Sequence, residues 1–170
     1  MELRADAQRN RAAILAAAAA VFAEHGARAT TEQVAREAGV AVGTVFRHFP
    51  TKDALLVAIM KQSLERLAEL AAGATLARFF RAVVDEAAAT RTVVDALAPR
   101  GLDLAEALGG LKATTARLLA EAKSAGEVRS DVRIDEVMAL LTALAQAAQQ
   151  ASWTPDLRRR TLKIVLAGMR

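Results

Sequence analysis

The chain has 170 residues, of which 54% are hydrophobic and 25% charged, with a formal net charge of +4 and no cysteine. That hydrophobic share supports a packed core and excludes disorder, while the absence of thiols excludes a disulfide framework, a thiolate zinc site and a cysteine nucleophile. His25 and His48 are the only imidazoles and no histidine or carboxylate cluster has ligand spacing, so no catalytic residue, metal or cofactor is expected. The charge permits nucleic-acid binding without demonstrating it: residues 1–52 hold seven Lys or Arg against five acids, a small excess.

The first predicted helix covers about residues 7–25 and stops at Gly26. Ile14, Ala18, Val21 and Phe22 recur at helical spacing and give it one buried stripe. Its apolar run, 12–23, is mostly Ala, with Arg before it and no cleavage pattern after it, so neither a signal peptide nor a membrane anchor is expected and the protein reads as cytoplasmic. Arg4, Arg9 and Arg11 near its start suit either a solvated face or contact with a DNA backbone. Thr30 followed by Gln33 has capping-box spacing and opens a second helix over 31–38, whose apolar stripe is Val34, Ala35 and Ala38. Gly39 suits the left-handed conformation that ends it. A three-residue turn, 39–41, leads into a short third helix from Val42 to His48. There Val45 and Phe49 share the inward face, while Gly43, Thr44, Phe46, Arg47 and His48 make a surface that is small at its start and carries donors and a flat ring further on. This is a helix-turn-helix.

At these residues the chain resembles the TetR family of dimeric transcription repressors. The resemblance runs over about the first third of the chain, through Ile14, Phe22, Gly26, Thr30, Thr31, Ala35, Ala38, Gly39, Val40, Gly43, Thr44, His48, Phe49, Lys52 and Leu55. It implies an all-α fold of about nine helices: a three-helix DNA-binding domain over 1–52, then a helical ligand-binding and dimerisation domain over 53–170. It also implies a DNA surface of Thr30, Thr31, Val42, Gly43, Thr44, Phe46, Arg47, His48 and Lys52. Thr44, Arg47 and His48 would face DNA, Gly43 would admit the helix to the groove, and Thr30, Thr31 and Lys52 would touch phosphate. The sequence departs from the family twice. Ala41 stands where the family usually has a capping Ser, and Phe46 where it usually has Tyr, which removes a hydroxyl that could bond phosphate.

A fourth helix is predicted after Pro50, with Thr51 as its cap, Asp53 at the positive end of its dipole and Leu55, Leu56, Ile59, Met60, Leu64 and Leu67 at helical spacing to about Ala71. Further helices are expected over 75–98, 101–107, 110–125, 134–151 and 156–168, with breaks at Gly73, Pro99 with Gly101, Gly109 with Gly110, Gly126 and Pro155. Met60, Leu64, Phe79, Val83, Thr115, Met138 and Trp153 could line an apolar ligand cavity, with Thr114, Gln146 and Gln149 as polar groups; they could equally be a filled core. Leu141, Leu144, Ala145, Ala148, Leu162 and Leu166 form broad stripes on the last two helices. An ordinary core would account for them, while the resemblance implies a four-helix interface with a second subunit.

The expected function is a sequence-specific regulator bound to double-stranded operator DNA as a homodimer. The resemblance makes it a repressor released by an unknown small apolar or amphipathic ligand, with no membrane partner. An enzyme fits less well, because Ser63, Ser124, Ser130 and Ser152 have no histidine near them in sequence. A helical module that contacts only protein is the other alternative.

Overall fold

The computed structural model describes residues 2–97, 105–150 and 153–170, and among them every regular element is a helix. In order these are α1 (Glu2–His25), a 3-10 turn (Gly26–Arg28), α2 (Thr31–Glu37), α3 (Val42–His48), α4 (Lys52–Ala71), α5 (Leu76–Ala89), α6 (Arg91–Leu97), α7 (Ala105–Ser124), α8 (Ile134–Gln150) and α9 (Pro155–Gly168). None is long and apolar enough to cross a membrane.

Hydroxyl caps set four of the helix starts, Thr30 at α2 among them. Thr51 accepts from the Ala54 N–H at 3.0 Å at the head of α4, Thr75 from Arg78 at 3.3 Å at α5, and Thr154 from Leu157 at 3.2 Å at α9, where Pro155 occupies the first turn. Two glycines set helix ends. Gly39 takes φ 67°, with Gly39 N–H donating to Arg36 O and Val40 N–H to Ala35 O, and Gly126 takes φ 71° with the same pair of bonds at the end of α7. In both, the left-handed residue turns the chain so that the last carbonyls find donors.

Contacts divide the chain into two compact units, Met1–Gln62 with Thr90–Leu102, and Ser63–Ala89 with Asp103–Arg170. In the first, α1 packs on α2 and the 3-10 turn, α2 on α3, and α6 on α1 and the turn. Its core joins Ile14, Leu15, Ala18 and Phe22 of α1 to Val34 and Ala35 of α2, to Val45 of α3 and the Phe49 that caps it, to Leu55, Leu56 and Ile59 of α4, and to Val93, Ala96 and Leu97 of α6. In the second unit α5 packs against α7, α8 and α9. Leu76, Phe79, Phe80, Val83 and Val84, at i, i+3, i+4, i+7 and i+8, are all buried there.

Three boundaries differ from the sequence reading. The run expected as one helix over 75–98 is two: it stops at Ala89, and the buried Thr90 accepts the Val93 and Val94 N–H groups through its carbonyl at 3.0 Å each to start α6. Gly109 and Gly110 do not break the chain but sit inside α7. Two glycines cost a helix stability without forbidding it, and a helix held by packing tolerates them. The compact units do not part at 52/53, because Leu55, Leu56 and Ile59 of α4 belong to the first core and the whole of α6 returns to it. Residues 98, 101–104 and 151 of the expected helices lie outside the described residues.

Candidate nucleic-acid interface

The helix-turn-helix is held from inside by α3's buried edge. Val45 is wholly buried and Phe49 nearly so, and Phe49 N–H closes the helix on Val45 O at 2.8 Å. With that edge fixed, Gly43, Phe46 and Arg47, at i, i+3 and i+4, form the exposed edge, flanked by the half-buried Val42, Thr44 and His48. A Cβ added at Gly43 would meet nothing within 4 Å, so the start of α3 is open to solvent. Arg47 lies loosely along its own helix: Nε approaches Gly43 O at 3.5 Å and a terminal nitrogen approaches Thr44 Oγ1 at 3.4 Å, both at the limit of a hydrogen bond. Such a side chain is easily redirected to a stronger acceptor. Ala41 precedes α3 with no side-chain cap, as its identity requires.

The other expected contact residues are partly engaged. Thr30 forms the capping box in full, its hydroxyl accepting from Gln33 N–H at 3.2 Å and its own N–H donating to Gln33 Oε1 at 2.8 Å. Beside it, Glu32 has its carboxyl held below the usual carboxylate range, first by its own backbone N–H and then by the Thr30 hydroxyl. Thr31, the first residue of α2, is half-buried. Lys52 has an internal role that local sequence does not signal. Its ammonium donates to Ala27 O at 2.7 Å and Ala29 O at 2.8 Å and sits 5.4 Å from the Phe22 ring centre, tying the head of α4 to the carbonyls that follow α1. Of the N-terminal arginines, Arg11 stacks its guanidinium 5.3 Å from the Phe49 ring and Arg9 pairs with Asp6, while the Arg4 side chain is outside the described residues. Arg11 therefore buttresses the ring that closes α3.

The expected ligand-pocket residues lie mostly in and around the second unit's core. Phe79, Val83 and Thr115 are buried in the second unit's core, and the Thr115 hydroxyl is spent on Leu111 O at 2.8 Å. Met138 and Trp153 pack on that core from its edge, Leu64 is half-buried on α4, and Met60 packs on the first unit's core instead. A small cleft of ≈ 40 Å³, lined by Leu76, Ala77, Ala122, Glu127, Val128, Leu166, Met169 and Arg170, touches none of them. Room on that scale suits water rather than a ligand.

The stripe that the resemblance sets against a second subunit lies largely within its own chain. Leu141 and Leu162 are 1% exposed, Leu144 and Ala148 are buried beside them, and only Ala145 and Leu166 are half-buried. Side chains already enclosed by their own chain have almost no area left to bury against another. The apolar surface that α8 and α9 do expose is Leu140, Leu157 and Ile164, the last 74% exposed, with Ala143 and Ala167 nearby in the same helices. The helical period shows which residues share a stripe, and this burial accords with the ordinary core that would also account for them.

Residues 14–59 match the family described as bacterial regulatory proteins, tetR family, and residues 71–170 match the C-terminal domain described as transcriptional regulator SbtR-like. The chain belongs to the TetR family. Among solved structures, a TetR transcription regulatory protein from Mycobacterium vanbaalenii is 38% identical over 99% of both chains with a TM-score of 0.81. A TetR transcriptional regulator from Streptomyces coelicolor is 36% identical over 94% of this chain and 98% of its own, with a TM-score of 0.76. A TetR-family regulator from Pectobacterium atrosepticum is 25% identical over 97% of this chain and 92% of its own, at 0.64. As a TetR protein the chain is a DNA-binding transcriptional regulator and not an enzyme.

Proposed function

We propose that this TetR protein is a homodimeric repressor that reads a palindromic operator with α3 and is released by a small apolar or amphipathic molecule. The observation that carries the reading is the exposed edge of α3, Gly43, Phe46 and Arg47, on a helix whose opposite edge is locked in a core. A small residue at the start lets the helix approach the groove, and Arg47 brings an uncommitted guanidinium to it. Thr44 and His48 flank the edge. Thr30 and Thr31 lie at the head of α2, where the helix dipole favours phosphate. Lys52 contributes chiefly by holding α4 in place. The second copy docks on the exposed stripe Leu140, Leu157 and Ile164, and the dimer sets the recognition helices roughly 34–36 Å apart to enter successive major grooves.

Release follows if a ligand prefers a conformation with a different spacing, since binding one state better shifts the population towards it. Phe79, Val83 and Thr115 lie buried in the core of the second unit, where such a ligand binds. Among the described residues, chain crossings at 62/63 and 89/90 give that change covalent routes into the DNA-binding unit.

Selection of duplexes from a random pool with the full-length protein tests the DNA part. An enriched sequence with twofold symmetry, bound more weakly as salt rises, is the expected result. Enrichment of nothing would remove the operator-reading function, and an enriched duplex that no member of a metabolite library releases would remove the ligand.

A further inference from the structure

The geometry points to Phe46 as a reader of thymine methyl groups in the major groove. This rests on α3 being the DNA-reading helix. Phe46 is 45% exposed, so that close to half of its surface meets water on the outer edge of a helix whose Val45 and Phe49 are buried. It stands one turn after Gly43, where no side chain intervenes, and beside Arg47. A phenyl ring has no donor or acceptor, so it gains nothing from phosphate, and covering a hydrated anion with it would strip water from a charge without replacing it. Among the groups that base pairs show in the major groove, the apolar one is the C5-methyl of thymine, which is matched by apolar side chains. A phenylalanine at this position therefore presents a purely apolar surface on the exposed edge of α3.

The test uses the full-length protein and the duplex enriched from a random pool, with each thymine replaced singly by deoxyuridine, which differs only by the methyl. One thymine per half-site should weaken binding about fourfold when replaced, the worth of one buried methyl group. In Phe46→Ala the same replacement should have no effect. In Phe46→Tyr, which keeps the ring, the discrimination should persist. Uniform indifference to deoxyuridine in the wild-type protein would overturn the inference while leaving operator reading intact, and so would a sensitivity that survives Phe46→Ala. Failure to enrich any sequence would instead sink operator reading and this inference together.

Discussion

Arg47 of α3 and Lys52 at the head of α4 are both basic, yet their surroundings separate their roles. The Arg47 guanidinium has only two long contacts on its own helix, whereas the Lys52 ammonium makes two short bonds to carbonyls more than twenty residues away in sequence. Arg47→Ala should therefore leave the free protein's stability unchanged within error and weaken operator binding by about 1–3 kcal/mol, with relaxed preference at one base pair. An equal loss on every sequence would make it a phosphate contact. Lys52→Ala should behave in the opposite way and destabilise the DNA-free protein by about 1–3 kcal/mol, because hydrogen bonds to a charged group are lost and two carbonyls are left short of a donor. Thermal melting without DNA checks this, and an unchanged melting curve would return Lys52 to a phosphate role.

At the scale of the helices, the weak point of α3 is its start. Ala41 caps α3 with no side-chain hydrogen bond, while α2, α4, α5 and α9 each have a hydroxyl cap. Ala41→Ser should stabilise the first unit by about 1 kcal/mol, read as protection of the α3 amides from hydrogen exchange. Unaltered exchange would mean that packing of Val45 and Phe49 alone sets the helix. Gly109→Ala should stabilise α7 by about 0.5–1 kcal/mol, since the added Cβ meets nothing within 4 Å; a destabilised variant would show that the glycine is needed there.

These helices also show what the sequence makes legible. The Thr30 to Gln33 box, the Gly39 turn and the Thr51 cap were readable because a cap is a local event, written within four residues. The break at Thr90 was not, because nothing in the Ala-rich run before it forbids a helix; it follows from α6 packing on α1 and the 3-10 turn. The inward orientation of Leu141 and Leu162 was hidden for a similar reason. Periodicity names the residues of a stripe, but which stripe meets the core depends on α5, far away in sequence. The bonds of Lys52 to Ala27 and Ala29 and the stacking of Arg11 on Phe49 are likewise tertiary.

For the whole molecule the account rests on two copies acting together. Ile164→Glu places a charge on the most exposed large apolar side chain of α9, where the chain's own fold should tolerate it and a twofold interface would repeat it. Light scattering should then report a folded monomer whose operator affinity has fallen by orders of magnitude, since one recognition helix loses the gain from linking two. A folded dimer would move the interface elsewhere. The most direct test of paired reading is the affinity for the selected operator compared with the same duplex carrying about five extra base pairs between its half-sites, a half turn of DNA. Paired recognition helices predict that the insertion reduces binding to the level of a single half-site. Equal affinity for the two duplexes would contradict the account.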